Sequence, residues 1–174
     1  MKRRTLIISI LLHALLLMIV YVFQSMIFPY MRLNGLVPLL LPIVSTGVAV
    51  YEGRDTGGVF GLFAGILCDV SFNEPSGVFT VYLTLTGLAV GALADAVMTR
   101  GLATYFISCV AVLTVATLVQ MFPLLFFDGV PFPHLLTTAI EQTVYSLVFT
   151  IPIWFFVRAL GKRAQRVSPP GRPR

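Results

Sequence analysis

Charge is what this sequence has least of. Lys, Arg, Asp and Glu make up 11% of the 174 residues and hydrophobic residues 57%, whereas a soluble domain carries about 25% charged residues. The charges fall in short clusters separated by long uncharged runs, so no amphipathic helix with a charged face occurs before the C-terminal tail. That excludes an ordinary soluble core and points to a chain embedded in a membrane. Catalytic signatures are missing too: there is no H-E-x-x-H, G-x-S-x-G, S-x-x-K or phosphate-binding P-loop. With few acids and two histidines, the chain is not expected to be an enzyme. Cys68 and Cys109 lie in apolar runs and read as buried free thiols rather than a disulfide. No cysteine–histidine spacing suggests a metal site, and no cofactor is expected.

What is present is a series of apolar stretches. Lys2-Arg3-Arg4 would suit the start of a secretion signal, but Thr5 to Met31 carries no charge and ends in no small-x-small cleavage site. It outruns an h-region of roughly 7–15 residues, so it reads as a retained first span. Six spans fit the sequence: Thr5–Phe28, Leu33–Tyr51, Thr56–Phe72, Val78–Met98, Leu102–Phe127 and Phe132–Val157. Pro38 and Pro42 lie near the start of the second, and Pro152 is expected to kink the sixth. The expected fold class is therefore all-α, a polytopic bundle of six transmembrane helices over residues 1–160. A basic, proline-rich tail follows over 161–174, and its composition suggests disorder. It either binds anionic lipid headgroups or merely fixes topology.

Basic residues set the orientation. Lys2, Arg3, Arg4, Arg54, Arg100, Arg158, Lys162, Arg163, Arg166, Arg172 and Arg174 share one side in this arrangement, and Arg32 alone lies opposite. Both termini are expected to be cytoplasmic, with Asp69, Glu74 and Asp128 on the outer face.

Gly57, Gly61 and Gly65 run into Asp69 within the third span. A four-residue step turns an α-helix about 40° past a full turn, so these positions form one drifting, side-chain-free stripe. Such a stripe lets another helix approach closely. Gly87, Gly91 and Asp95 repeat the pattern on the fourth span, with Leu88 and Leu93 standing where the third span has Leu62 and Leu67. Two readings stay open: the stripes pack on each other as a hairpin, or one receives a partner's helix. Asp69 opposes the dipole at its own helix C-terminus. It serves either to cap the following turn, which holds Asn73, Glu74, Pro75 and Gly77, or to close an outer interface.

Asp95 and Glu141 lie within or near hydrocarbon, where a charge costs roughly 2.5–3.5 kcal/mol at mid-helix and should turn inward. Ser9, His13 and Gln24 share one edge of the first span, which makes an intramembrane polar cluster of His13, Gln24 and Glu141 the expectation. A static hydrogen-bonded cluster is favoured over a proton relay. Thr137, Thr138 and Tyr145 are candidate partners for Glu141. Asp55 suits a helix N-cap, while Glu52 and Arg54 read as solvated interface charges.

The pattern Gly61, Gly65, Asp69, then Pro75 and Gly77, then Gly87 and Gly91, resembles the rod shape-determining protein MreD family. Length, six-span layout and basic ends agree over essentially the whole chain. The resemblance implies a non-enzymatic scaffold of the bacterial cell-elongation machinery in the inner membrane, with its fold similar to the S components of energy-coupling factor transporters. It further implies MreC as partner, docking its transmembrane helix on the stripe Gly57, Gly61, Gly65 and Asp69. Through MreC come MreB filaments and the peptidoglycan synthases. Self-association is left open, and nothing points to nucleic acid. The alternative is an S component itself, binding a vitamin near Asp69, Asn73 and Glu74.

Overall fold

The computed structural model describes residues 2–30, 36–71, 77–96, 101–126 and 132–166. Every regular element among them is helical: α1 (Lys2–Val22), α2 (Leu40–Glu52), α3 (Arg54–Ser71), α4 (Val78–Ala96), α5 (Leu102–Phe126), α6 (Phe132–Val148) and α7 (Thr150–Arg166). A π-helical turn, Phe23–Ile27, and a 3-10 turn, Phe28–Tyr30, extend α1.

By length and composition, Ser9–Ile27, Val78–Ala96 and Leu102–Met121 can each cross a membrane. The bent pair Pro133–Val148 and Thr150–Leu160 makes a fourth crossing if it is one span. The second and third expected spans fall short of that criterion. Helix α3 carries Arg54, Asp55 and Asp69 within its 18 residues. Helix α2 has 13 residues, about 20 Å of helix against a hydrocarbon layer of about 30 Å.

Prolines explain why α2 starts late. A helix begun upstream would drive the Pro42 ring into the carbonyl of Pro38, so Pro42 is tolerated only in the first turn. Residues 36–39 are accordingly non-helical. Despite its length α2 is the centre of the fold, packing against α1, α3, α4, α5 and α7. Every residue from Leu40 to Val50 is buried. Tyr105 of α5 donates its hydroxyl to Ile43 O at 3.2 Å. Beside it, a Cβ on Gly47 would sit 3.1 Å from the Tyr105 ring and 3.2 Å from Val157.

The irregular backbone before α2 is satisfied by side chains. Gln24 Oε1, on the widened π turn, accepts from Leu40 N at 2.8 Å and Leu41 N at 3.1 Å. Ser146 Oγ accepts from Leu39 N at 2.9 Å, and Gln142 Nε2 donates to Val37 O at 3.0 Å. In lipid, non-helical backbone persists only where protein supplies such partners.

The sixth expected span is broken rather than kinked at its proline. Helices α6 and α7 meet at 44° around Phe149. Pro152 offers no N–H to the Val148 carbonyl and crowds it, which moves the break one turn upstream. Helix α7 then continues to Arg166, past the expected start of a disordered tail at Gly161. Residues 167–174 lie outside the described residues.

Candidate functional site

The two glycine stripes face each other across the α3–α4 hairpin. A Cβ on Gly65 would lie 2.7 Å from Phe79 O, and one on Gly57 2.8 Å from Gly87 O. On Gly61 it would overlap the Leu83 carbonyl, and on Gly91 it would sit 2.6 Å from Arg54 Cα. Backbone lies directly against backbone, which only glycine permits here. Of the two open readings, the internal hairpin is the one adopted, and α4 covers the face expected to receive a partner's helix.

The aspartates close the hairpin from both ends. Asp69 is buried at 8% exposure. Its carboxylate accepts from Phe79 N at 3.1 Å, Thr80 N at 3.0 Å and the Thr80 hydroxyl at 2.6 Å. Those donors belong to the first turn of α4, where a negative charge complements the helix dipole. Asp69 therefore caps the next helix. At the other end, Asp95 Oδ2 accepts from Arg54 N, the first residue of α3, at 3.1 Å. Asp55, the expected N-cap, is instead an exposed member of the first turn.

These contacts form a local two-fold arrangement. One sequence offset carries Gly61, Gly65 and Asp69 onto Gly87, Gly91 and Asp95. The same offset carries Gly53, Arg54 and Gly57 onto Phe79, Thr80 and Leu83. Gly61 meets Leu83 as Gly87 meets Gly57, and Gly65 meets Phe79 and Thr80 as Gly91 meets Gly53 and Arg54. The echo in the sequence is thus matched by the glycine contacts.

Of the outer turn, Gly77 holds φ +65°, a conformation that favours glycine, and its carbonyl accepts from Val81 N at 3.1 Å. Asn73, Glu74 and Pro75 lie outside the described residues.

The polar cluster is not assembled as expected. Glu141 is exposed, whereas its neighbour Gln142 turns inward and donates to Gln120 Oε1 at 3.1 Å. Thr137 and Thr138 bond carbonyls of their own helix, at Pro133 and His134. The two members on α1 serve different sites. Gln24 caps α2, while His13 Nδ1 donates to Ser9 O at 2.9 Å and its ring meets Phe60 edge-on. The acid nearest this group is Glu52, whose Oε1 accepts from Ser9 Oγ at 3.1 Å. Glu52 is half-buried, which corrects the expectation of a solvated charge. The sequence names Glu141 and Gln142 side by side, and only packing decides which one turns inward. Thr80, Gly53 and Ser146 were missed because their roles lie in contacts between helices. The offset between the two glycine stripes was the available signal for the first two.

Comparison with individual curated proteins and with solved structures gives no match. A protein-family model, rod shape-determining protein MreD, matches residues 2–164. That match takes in α1 to α6, α7 up to residue 164 and both aspartate-closed stripes, and the chain belongs to the MreD family.

Proposed function

We propose that this chain is a non-enzymatic membrane scaffold in rod-shape determination, docking the transmembrane helix of MreC and through it linking MreB filaments to peptidoglycan synthases. The observation that carries the reading is the family match over residues 2–164, joined to a hairpin whose stabilising groups are spent on itself. With both glycine stripes occupied, they serve docking indirectly, by holding α3 and α4 as one unit. The contact surface on this reading is the hairpin's exposed ridge of Val59, Phe63, Ile66 and Val70 on α3, with Val81 and Leu85 on α4. A membrane helix associates through van der Waals packing on such a ridge, not through a soluble-type interface. Six crossings with both termini cytoplasmic complete the proposal. The structure's two ends are compatible with it, because Ser9 of α1 and Trp154 of α7 both contact the C-terminal end of α2.

The test is purification of the tagged chain from host membranes in gentle detergent, with single cysteines at Phe63 and Leu85 for cross-linking. Recovery of MreC with wall synthases, and cross-links from either position to its single span, is the expected result. Recovery of a membrane coupling protein with paired ATPases would overturn the scaffold and favour the S-component alternative.

A further inference from the structure

Helix α7 changes character along one face. Ile151, Phe155 and Arg158 follow at spacings of four and three, which places them in one stripe. Ile151 and Phe155 are exposed at 55% and 61%, and Arg158 is exposed above them. No charge occurs between Glu141 and Arg158, so Arg158 marks where the apolar surface ends. The stripe is apolar below and cationic above, as the surface beneath a phospholipid must be.

Arg158 also lies over an aromatic ring. Its guanidinium lies 4.7 Å from the centroid of the Trp154 ring. That indole is buried at 7% exposure, donates from Nε1 to Tyr51 OH at 2.8 Å, and meets the Phe155 ring at 4.8 Å. A guanidinium over an aromatic ring keeps N–H donors for a phosphate's oxygens, and Arg158 is exposed to one. No carboxylate pairs with Arg158 among the described residues. In the sequence, Lys162, Arg163 and Arg166 follow on α7 and Lys2, Arg3 and Arg4 open α1, the helix that packs against α7.

We propose that this stripe binds an anionic phospholipid, with the phosphate at Arg158 and the acyl chains along Phe155 and Ile151. The inference rests on the chain lying in a membrane and is independent of which protein docks on the α3–α4 hairpin.

Trp154 is the chain's only tryptophan, so its fluorescence reports this site. The full chain is reconstituted in phosphatidylcholine vesicles, and dibrominated phosphatidylglycerol or dibrominated phosphatidylcholine is titrated in as quencher. Phosphatidylglycerol is expected to quench with about fivefold higher relative affinity, the gain from one basic residue near a membrane surface. Arg158→Gln should abolish that preference and Arg158→Lys retain part of it. Arg54→Gln, which removes an exposed arginine at the same end, should leave it intact. Equal quenching by the two lipids in the unaltered chain would overturn the proposal, as would a preference that survives Arg158→Gln. Loss of preference in Arg54→Gln as well would also overturn it, since that marks diffuse surface charge. If Arg158→Gln does not fold, an Arg158→Lys variant indistinguishable from the unaltered chain counts against the arginine-specific site.

Discussion

Asp69 and Thr80 are joined twice: the carboxylate accepts from the Thr80 backbone N–H at 3.0 Å and from its hydroxyl at 2.6 Å. The last turn of one helix thereby caps the first turn of the next. Asp95 does the same for Arg54 in the opposite direction. Two antiparallel helices that close each other in this way are expected to unfold as a pair.

Asp69→Ala removes an acceptor from three donors in a buried setting. A loss of about 2–3 kcal/mol is expected, from hydrogen bonds to a charged group and the orphaned first-turn N–H groups. Asp95→Ala should cost less than half as much, because Asp95 is exposed and water can replace it. Thermal unfolding in detergent checks the ranking, and equal losses would contradict the burial argument.

Gly58 and Gly61 should respond very differently to alanine. At Gly58 the new methyl meets the end of the Leu88 side chain, which can rotate away, while at Gly61 it meets the Leu83 carbonyl, which cannot. Gly61→Ala is expected to cost about 3 kcal/mol or more as overpacking. Gly58→Ala should stay within about 1 kcal/mol of neutral, since helix propensity gained offsets the adjustment. Titration with a denaturing detergent would separate them, and similar midpoints would show that the helices can move apart cheaply.

Gly77 has open space around a would-be Cβ, but its φ is +65°. Gly77→Ala should therefore destabilise by about 1 kcal/mol through the backbone alone. Gly77→Asn should recover part of that loss, because asparagine tolerates the left-handed region. A circular-dichroism melt of the two variants is sufficient, and an alanine variant as stable as glycine would refute the backbone explanation.

Gln24→Leu leaves the N–H groups of Leu40 and Leu41 without their acceptor. A cost of about 1–3 kcal/mol for each orphaned group is expected, and it should appear as loosening at the start of α2. Hydrogen exchange of α2 amides measures this directly. Unchanged protection at Leu40 and Leu41 would mean that another acceptor takes over.

Cys68 and Cys109 are both fully buried and free. Neither should react with a membrane-permeant maleimide in the folded protein, and both should react after denaturation in dodecyl sulfate. Labelling of Cys68 in the native state would show that the α3–α4 hairpin opens.

The elements were largely legible because periodicity and prolines act locally. The starts of α4 and α5 and the position of the glycine stripes follow from residues a few places apart. The breaks were less legible. Pro42 and Pro152 announced disruption, but Pro152 acts on the carbonyl four residues before it, so the bend falls at Phe149. The polar residues were legible as a set and not in their pairings. His13, Gln24 and Glu141 were each conspicuous in an apolar run, yet Gln24 found the backbone of α2, His13 its own helix, and Glu141 the exterior.

The sequence by itself determined that the chain is apolar, helical and a member of the MreD family, because composition, hydrophobic runs and motif spacing are properties of the chain alone. Only the tertiary structure decided that the glycine stripes face each other and that each aspartate caps the other helix. It also decided that a helix too short to span the hydrocarbon forms the core. Those outcomes depend on which surfaces meet. A stripe without side chains states that something must approach closely, and the partner is settled only when every helix competes for the same face.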